Sequence, residues 1–200
     1  MVPNFETLLE CPFCGEEKAV LSLLSGNTFG GQQWSDLKSI YPMLPRVSPI
    51  QRCSACGKYY FEKEAKRRSG KDYSFNKGNL TYEQLKEAAT QFGENLTEEN
   101  RAILNRLLVW AYNDNYNREG SADTEVPDEE KRYIDAVLDE LIASDGIDDI
   151  VRAEYCRERG LFEKSLALLD KCHPEEEHLV RIIEKMRVHA KEGSIMAFRI

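Results

Sequence analysis

Two short stretches decide how this chain folds: Cys11-Pro-Phe-Cys14-Gly15 and Cys53-Ser-Ala-Cys56-Gly57-Lys58. Each places two thiols three positions apart on a backbone that must turn tightly between them. Each also puts glycine directly after the second cysteine. A C-x-x-C turn supplies two soft donors from one side of a tetrahedral metal ion, at metal–sulfur distances of about 2.3 Å, and a second such turn completes the shell. Glycine suits the next position because the turn is cheapest with positive φ there. The same offset in both pairs predicts that they close around one ion. Cys11, Cys14, Cys53 and Cys56 are therefore the expected ligands of a single Zn2+. Four thiolates leave no position open for water, so the expected role is structural, not catalytic.

Working outward, Ala19-Val-Leu-Ser-Leu-Leu24 reads as a strand that stops at the turn signal Ser25-Gly-Asn-Thr28. Gly30-Gly31, Pro42, Pro45 and Pro49 make the next stretch loop-like, while Trp34, Leu37, Ile40, Tyr41, Met43 and Leu44 give it apolar mass to pack. Tyr59-Tyr60-Phe61 reads as a second strand. On these residues the segment from about 9 to 62 resembles the zinc-ribbon family, in which two C-x-x-C-G knuckles are each followed by a short strand. The resemblance implies a small β module built on a structural zinc. The chain departs from that pattern between its knuckles. The usual separation is about 15–20 residues, whereas here positions 15–52 intervene, so the insert is expected to cover the site or form a lobe of its own.

Beyond residue 80 the apolar period changes to that of helices. Thr81-x-x-Gln84 fits a capping box ahead of Leu85, Ala88, Ala89 and Phe92. Thr97 is the expected N-cap of a longer helix carrying Ile103, Leu104, Leu107, Leu108 and Ala111. Pro127 suits the first turn of the next, where Ile134, Val137, Leu138, Leu141 and Ile142 form a full apolar stripe. Asp145-Gly146 ends it. Helices near 148–159 and 161–171 are separated only by Gly160, and a last one spans about 174–191, with Leu179, Ile182, Ile183 and Met186 inward. Asn113 to Asp128 reads as a polar loop whose Asn113–Arg118 part is a solvated helix end, with the lining of a ligand site as the alternative. The apolar tail Ile195–Ile200 is expected to dock on the core or reach a partner. Residues 153–172, with Gly160, Phe162 and Ser165 at the turn, aromatic and small positions, resemble one tetratricopeptide helix–turn–helix unit. That resemblance implies a helical surface that binds peptides or proteins.

The fold class expected is α+β: a zinc-ribbon module with its long insert at 1–62, a polar basic linker at 63–80, and an all-α helical-hairpin domain, tetratricopeptide-like in part, at 81–200. In 200 residues, 42% are hydrophobic and 31% charged, an ordinary balance for a packed core. The formal net charge is −8 and the pI about 5.1, with the acidic excess in the helical part. Such a chain repels phosphate backbones on average.

A protein is accordingly the expected partner, and a non-catalytic intracellular binding or adaptor protein the expected role. The alternative is nucleic-acid binding through Lys58, Tyr59, Lys63, Lys66, Arg67 and Arg68, with Lys71, Tyr73 and Lys77 beyond them, where basic charge and aromatics interleave. A second alternative is thiol redox chemistry at Cys11-Pro-Phe-Cys14, which resembles a thioredoxin-type motif. The ten residues before it leave little room for the strand that motif follows, and the second cysteine pair would have no purpose. No phosphate-binding glycine loop and no Ser/His/Asp set points to an enzyme. The N-terminus lacks the pattern of a secretory signal and no run approaches 18 apolar residues, so the cytoplasm, without membrane insertion, is the expected location. In that reducing compartment Cys156 and Cys172 read as free thiols, the former a small core residue. No standard ligand spacing relates them to His173, His178 or His189.

Overall fold

The computed structural model describes residues 2–3, 8–20, 23–44, 47–69, 79–120 and 125–200. Pro45, Lys71, Tyr73 and Lys77 from the sequence reading lie outside these. The chain forms two compact units: Met1–Gly31 with Ile40–Leu104, and Gln32–Ser39 with Asn105–Ile200.

The first unit holds short antiparallel strands. β1 (Val2–Pro3) pairs with β4 (Leu23–Ser25). β2 (Leu8–Glu10) runs between β3 (Glu17–Ala19) and β9 (Lys66–Arg68), with Leu9 opposite Lys18 on one side and Arg67 on the other. The chain also makes β5 (Gln32–Gln33) and β6 (Ser39–Ile40). β7 (Ile50–Arg52) pairs with β8 (Tyr59–Phe61) in a register that sets Gln51 against Tyr60. The strand expected at Ala19–Leu24 is thus divided between the end of β3 and the start of β4, with Leu21 and Ser22 outside the described residues. Within the polar stretch that follows the second knuckle, Lys66–Arg68 take strand geometry, because β2 offers its free edge there.

The three β8 side chains are buried, as are Leu9 and Ile50. Helix α1 (Tyr82–Phe92) starts at the expected capping box, in which Thr81 and Gln84 exchange hydrogen bonds of 3.3 and 3.0 Å. It is fastened to β8 by Gln91, whose amide donates to the Tyr59 carbonyl (2.8 Å) and accepts from the Tyr59 N–H (2.9 Å). Phe61 stacks on Phe92 with ring centres 5.0 Å apart. Helix α2 (Glu98–Tyr112) begins after Thr97, whose hydroxyl accepts from the Asn100 N–H at 3.2 Å as expected of an N-cap, and supplies residues to both units.

The second unit contains α3 (Asp128–Ala143), α4 (Asp149–Glu158), α5 (Phe162–Leu169) and α6 (Glu177–Lys191). The expected stripe Ile134, Val137, Leu138, Leu141 and Ile142 is buried. Pro127 sits at the N-cap, one position before the first turn. Asp148 caps α4 through the Ile150 N–H at 2.8 Å. Gly160, at φ +82°, turns the chain between α4 and α5, and the small residue Ser165 is fully buried at the expected place. Ala153, Leu169, Ile183, Met186 and Phe198 make one core cluster.

Two segments behave differently from expectation. Asn113–Asn117 continues α2 as a π-helical turn, and Asn113, Asn117 and Arg118 are buried, not solvated. The widened turn carries these side chains inward, where charged partners meet them. The tail docks: Phe198 O accepts from the Ser35 N–H (2.9 Å), Ala197 N–H donates to Asn117 O (2.8 Å), and Ile200 N–H donates to Gln33 O (3.0 Å). The 32–39 part of the insert therefore belongs with the helices. Among the described residues no helix is long and apolar enough to cross a membrane.

Candidate metal centre

The two knuckles are built alike. Cys11 follows β2, its N–H donating to Glu16 O at 2.8 Å, and the Gly15 N–H closes the turn on Cys11 O at 3.0 Å. Cys53 follows β7, its N–H donating to Lys58 O at 2.9 Å, and the Gly57 N–H closes on Cys53 O at 3.0 Å. Gly15 and Gly57 have φ of +76° and +74°, the left-handed conformation that the sequence pattern implied.

These turns bring all four Sγ atoms within 4.8 Å of one another. The two separations across the knuckles are 3.9 Å for Cys11–Cys56 and 3.6 Å for Cys14–Cys53. Sulfur atoms at the corners of a tetrahedron with 2.3 Å bonds would stand about 3.8 Å apart. The four thiols thus fit one four-coordinate ion. Cys11 and Cys53 are buried and Cys14 and Cys56 exposed, so the site lies at the surface with its inner half against Tyr60 and Ala65. Among the described residues it is the one group of three or more His, Cys, Asp or Glu side chains arranged to hold a metal.

The thiols cannot all ionise cheaply on their own. For Cys14 the Glu16 backbone N–H favours the thiolate. Burial and the hydrogen bonds with the other three thiols outweigh it and push the group up to about 12. For Cys53 burial opposes ionisation, but the N–H groups of Cys56 and Ala55 and the neighbouring thiols pull it down to about 7. Burial, then the surrounding thiolates, raises Tyr60 to about 12. Lys18 is lowered by burial, against the attraction of Cys53, and donates to Gln51 Oε1 at 3.0 Å. The arrangement thus favours the thiolate at Cys53 and opposes it at Cys14.

The basic residues named for nucleic acid have other contacts. Lys58 Nζ lies 4.7 Å from the centre of the Phe13 ring. Lys63 pairs with Glu99 at 3.0 Å, Lys66 with Glu10 at 3.9 Å, Arg67 Nε donates to Glu62 at 2.9 Å, and Arg68 meets Glu10 at 2.6 Å and Glu17 at 3.7 Å. Tyr59 is buried and its hydroxyl donates to Glu87 at 2.5 Å. Cys156 and Cys172 are free thiols, and Cys156 is fully buried.

Sequence reasoning missed a buried polar cluster in the second unit. Asp36, fully buried, accepts from Arg118 Nη2 (2.8 Å) and Asn113 Nδ2 (3.0 Å), and its carbonyl accepts from Trp110 Nε1 (2.7 Å). Asn113 Nδ2 also reaches Glu158 Oε2 (3.1 Å). Arg157 binds Glu154 through Nε (2.9 Å) and Nη2 (2.5 Å), and donates from Nη1 to Ser194 O (2.6 Å). The available signal was the run of charged residues Asp149, Arg152, Glu154, Arg157 and Glu158 on one short helix, too many for a single solvent face. Comparison of the chain with protein-family models, with curated proteins and with solved structures returned no match.

Proposed function

We propose that Cys11, Cys14, Cys53 and Cys56 hold one structural zinc ion, and that the protein is a non-catalytic binding protein whose helical hairpins take a protein partner. The observation that carries the metal reading is the mutual approach of the four sulfur atoms within 4.8 Å. Zinc is favoured over ferrous iron because it binds such donors more tightly and accepts a regular tetrahedron without preference. Sites of this kind contribute on the order of 10–16 kcal/mol to folding in zinc-finger peptides, and a unit of two- and three-residue strands has need of that. Iron in the same shell would colour the protein through thiolate-to-iron charge transfer, whereas a zinc protein is colourless. Mercurial titration should release one zinc per chain as four thiols react. A dithiol enzyme would instead react at one cysteine pair with the metal retained.

The partner reading rests on the α4–α5 hairpin, which turns at Gly160 and packs through small residues as tetratricopeptide units do. It also rests on the pairing of the basic side chains of β9 with Glu10, Glu17 and Glu62, which leaves less charge for phosphate. Captured proteins should survive nuclease treatment and be lost when exposed positions of α5 are changed, as in Lys164→Glu with Ala167→Arg. Binding to single-stranded RNA that weakens steeply with salt would favour the nucleic-acid alternative.

A further inference from the structure

The π-helical turn at Asn113–Asn117 faces a recess in the second unit, lined by Tyr112, Asn113, Asn117, Lys131, Ile134, Asp135, Leu138, Glu158 and Ile195. Counting the open mouth it spans about 310 Å3. Insertions of this type in helices often mark functional sites. Glu158 is a buried residue of its lining, and among the described residues its Oε1 has no hydrogen-bond partner, while Oε2 is taken by Asn113. Leaving a buried carboxyl oxygen unsatisfied is unfavourable, so something is expected to meet it.

The charges around it choose the sign of that ligand. Asp36 is matched by Arg118, and Glu154 by Arg157. At the mouth, Asp135 is matched by Arg159 at 3.4 Å. Among the described residues Glu158 makes no ion pair of its own. Burial, then the charges of Glu154 and Asp36, raise it well above its ordinary value, against the pull of Arg157 and Asn113. An anion would be repelled. A divalent metal would find too few oxygens, since Asn113 turns its amide nitrogen to Glu158. An ammonium head with a short stem meets both needs: its charge for Glu158, its methylenes for Ile134, Leu138 and Ile195.

We propose that this recess binds the primary ammonium group of a small amine, with Glu158 as its buried counter-ion and Lys131 at the mouth as a competing cation. The amine enters as R–NH3+ and pairs with the Glu158 carboxylate, and any proton that Glu158 carries in the empty recess leaves for solvent. Tyr112, Lys131 and Asp135 also line the recess, and Glu154, Asp36 and Arg157 act on Glu158 through their charges.

Calorimetric titration of the full-length protein with n-propylammonium, in two buffers of different ionisation enthalpy, tests this. Saturable binding at one site per chain with up to one proton released is expected, with none for n-propanol, which has the same stem and no charge. Glu158→Gln, which keeps the shape of the neutral acid, should weaken binding at least tenfold and abolish proton release. Lys131→Ala should tighten it severalfold. The carboxyl carbon of Glu158 should shift saturably in carbon NMR of the unmodified protein as amine is added. No saturable shift, equal binding of propanol, or unaltered binding in Glu158→Gln would each mean that only a water fills the recess, and would overturn the proposal.

Discussion

At the scale of single residues, the glycines after each knuckle show how much a spacing rule contains. A Cβ at Gly57 would meet nothing closer than 3.8 Å, so only the positive φ opposes substitution. Gly57→Ala should cost about 1–2 kcal/mol and lower the melting temperature of the metal-loaded protein, leaving metal stoichiometry unchanged. The cysteines and these glycines were legible because their interaction is local: each knuckle is a turn of five residues, and its chemistry does not depend on the rest of the fold. Glu158 was not legible, because its environment comes from far away. Asn113 lies 45 positions before it, and Asp36 lies 77 before Asn113.

Its acid–base behaviour has a definite sign. A carboxyl whose pKa is raised by folding contributes stability that is fully present below its unfolded value, near 4.5, and is lost as pH rises through the folded value. Glu158→Gln should remove that loss, so the variant's stability should fall less than the native protein's between about pH 4.5 and the upper limit of that titration. Denaturant unfolding as a function of pH reads the difference.

At the scale of elements, helix α1 shows where composition and packing part company. The change to helical periodicity at Thr81 suggests that a new domain starts there. Gln91 nevertheless ties α1 to both backbone groups of Tyr59, and Phe61 stacks on Phe92. Gln91→Ala would leave a buried N–H and C=O unpaired, at a cost of about 1–3 kcal/mol. Faster amide exchange at Tyr59 is the expected result, with the exchange of α6 amides unchanged. Helix existence and the caps at Thr81 and Thr97 were readable from period and capping residues. The π-helical turn was not, since Asn113-Asp-Asn-Tyr-Asn117 is polar and reads as solvated unless its buried partners are known.

At the scale of the molecule, the insert between the knuckles does two jobs that sequence order conceals. Residues 32–39 fall in the second unit, where Ser35 and Gln33 hold the tail and Asp36 anchors the polar cluster, while 40–52 return to the metal-bearing unit. No local pattern announces such a division. It follows from where Trp34 and Asp36 meet Arg118, whose guanidinium lies 4.5 Å from the Trp34 ring centre and 2.8 Å from the Asp36 carboxylate. Chelation should consequently unfold β2, β3, β7, β8 and β9 first. Most of the helical circular dichroism should survive, because α3 to α6 have a core of their own. Since thiolate ligation releases protons, metal affinity should fall as pH is lowered.

The most direct measurement is the metal content of the native protein by mass spectrometry, on the unaltered chain and on Cys53→Ala. One zinc per chain, lost in the variant together with the strand signals of the first unit, is the expected result. A metal-free native protein that keeps those strands ordered, or a variant with unchanged zinc stoichiometry, would contradict a shared four-thiolate site.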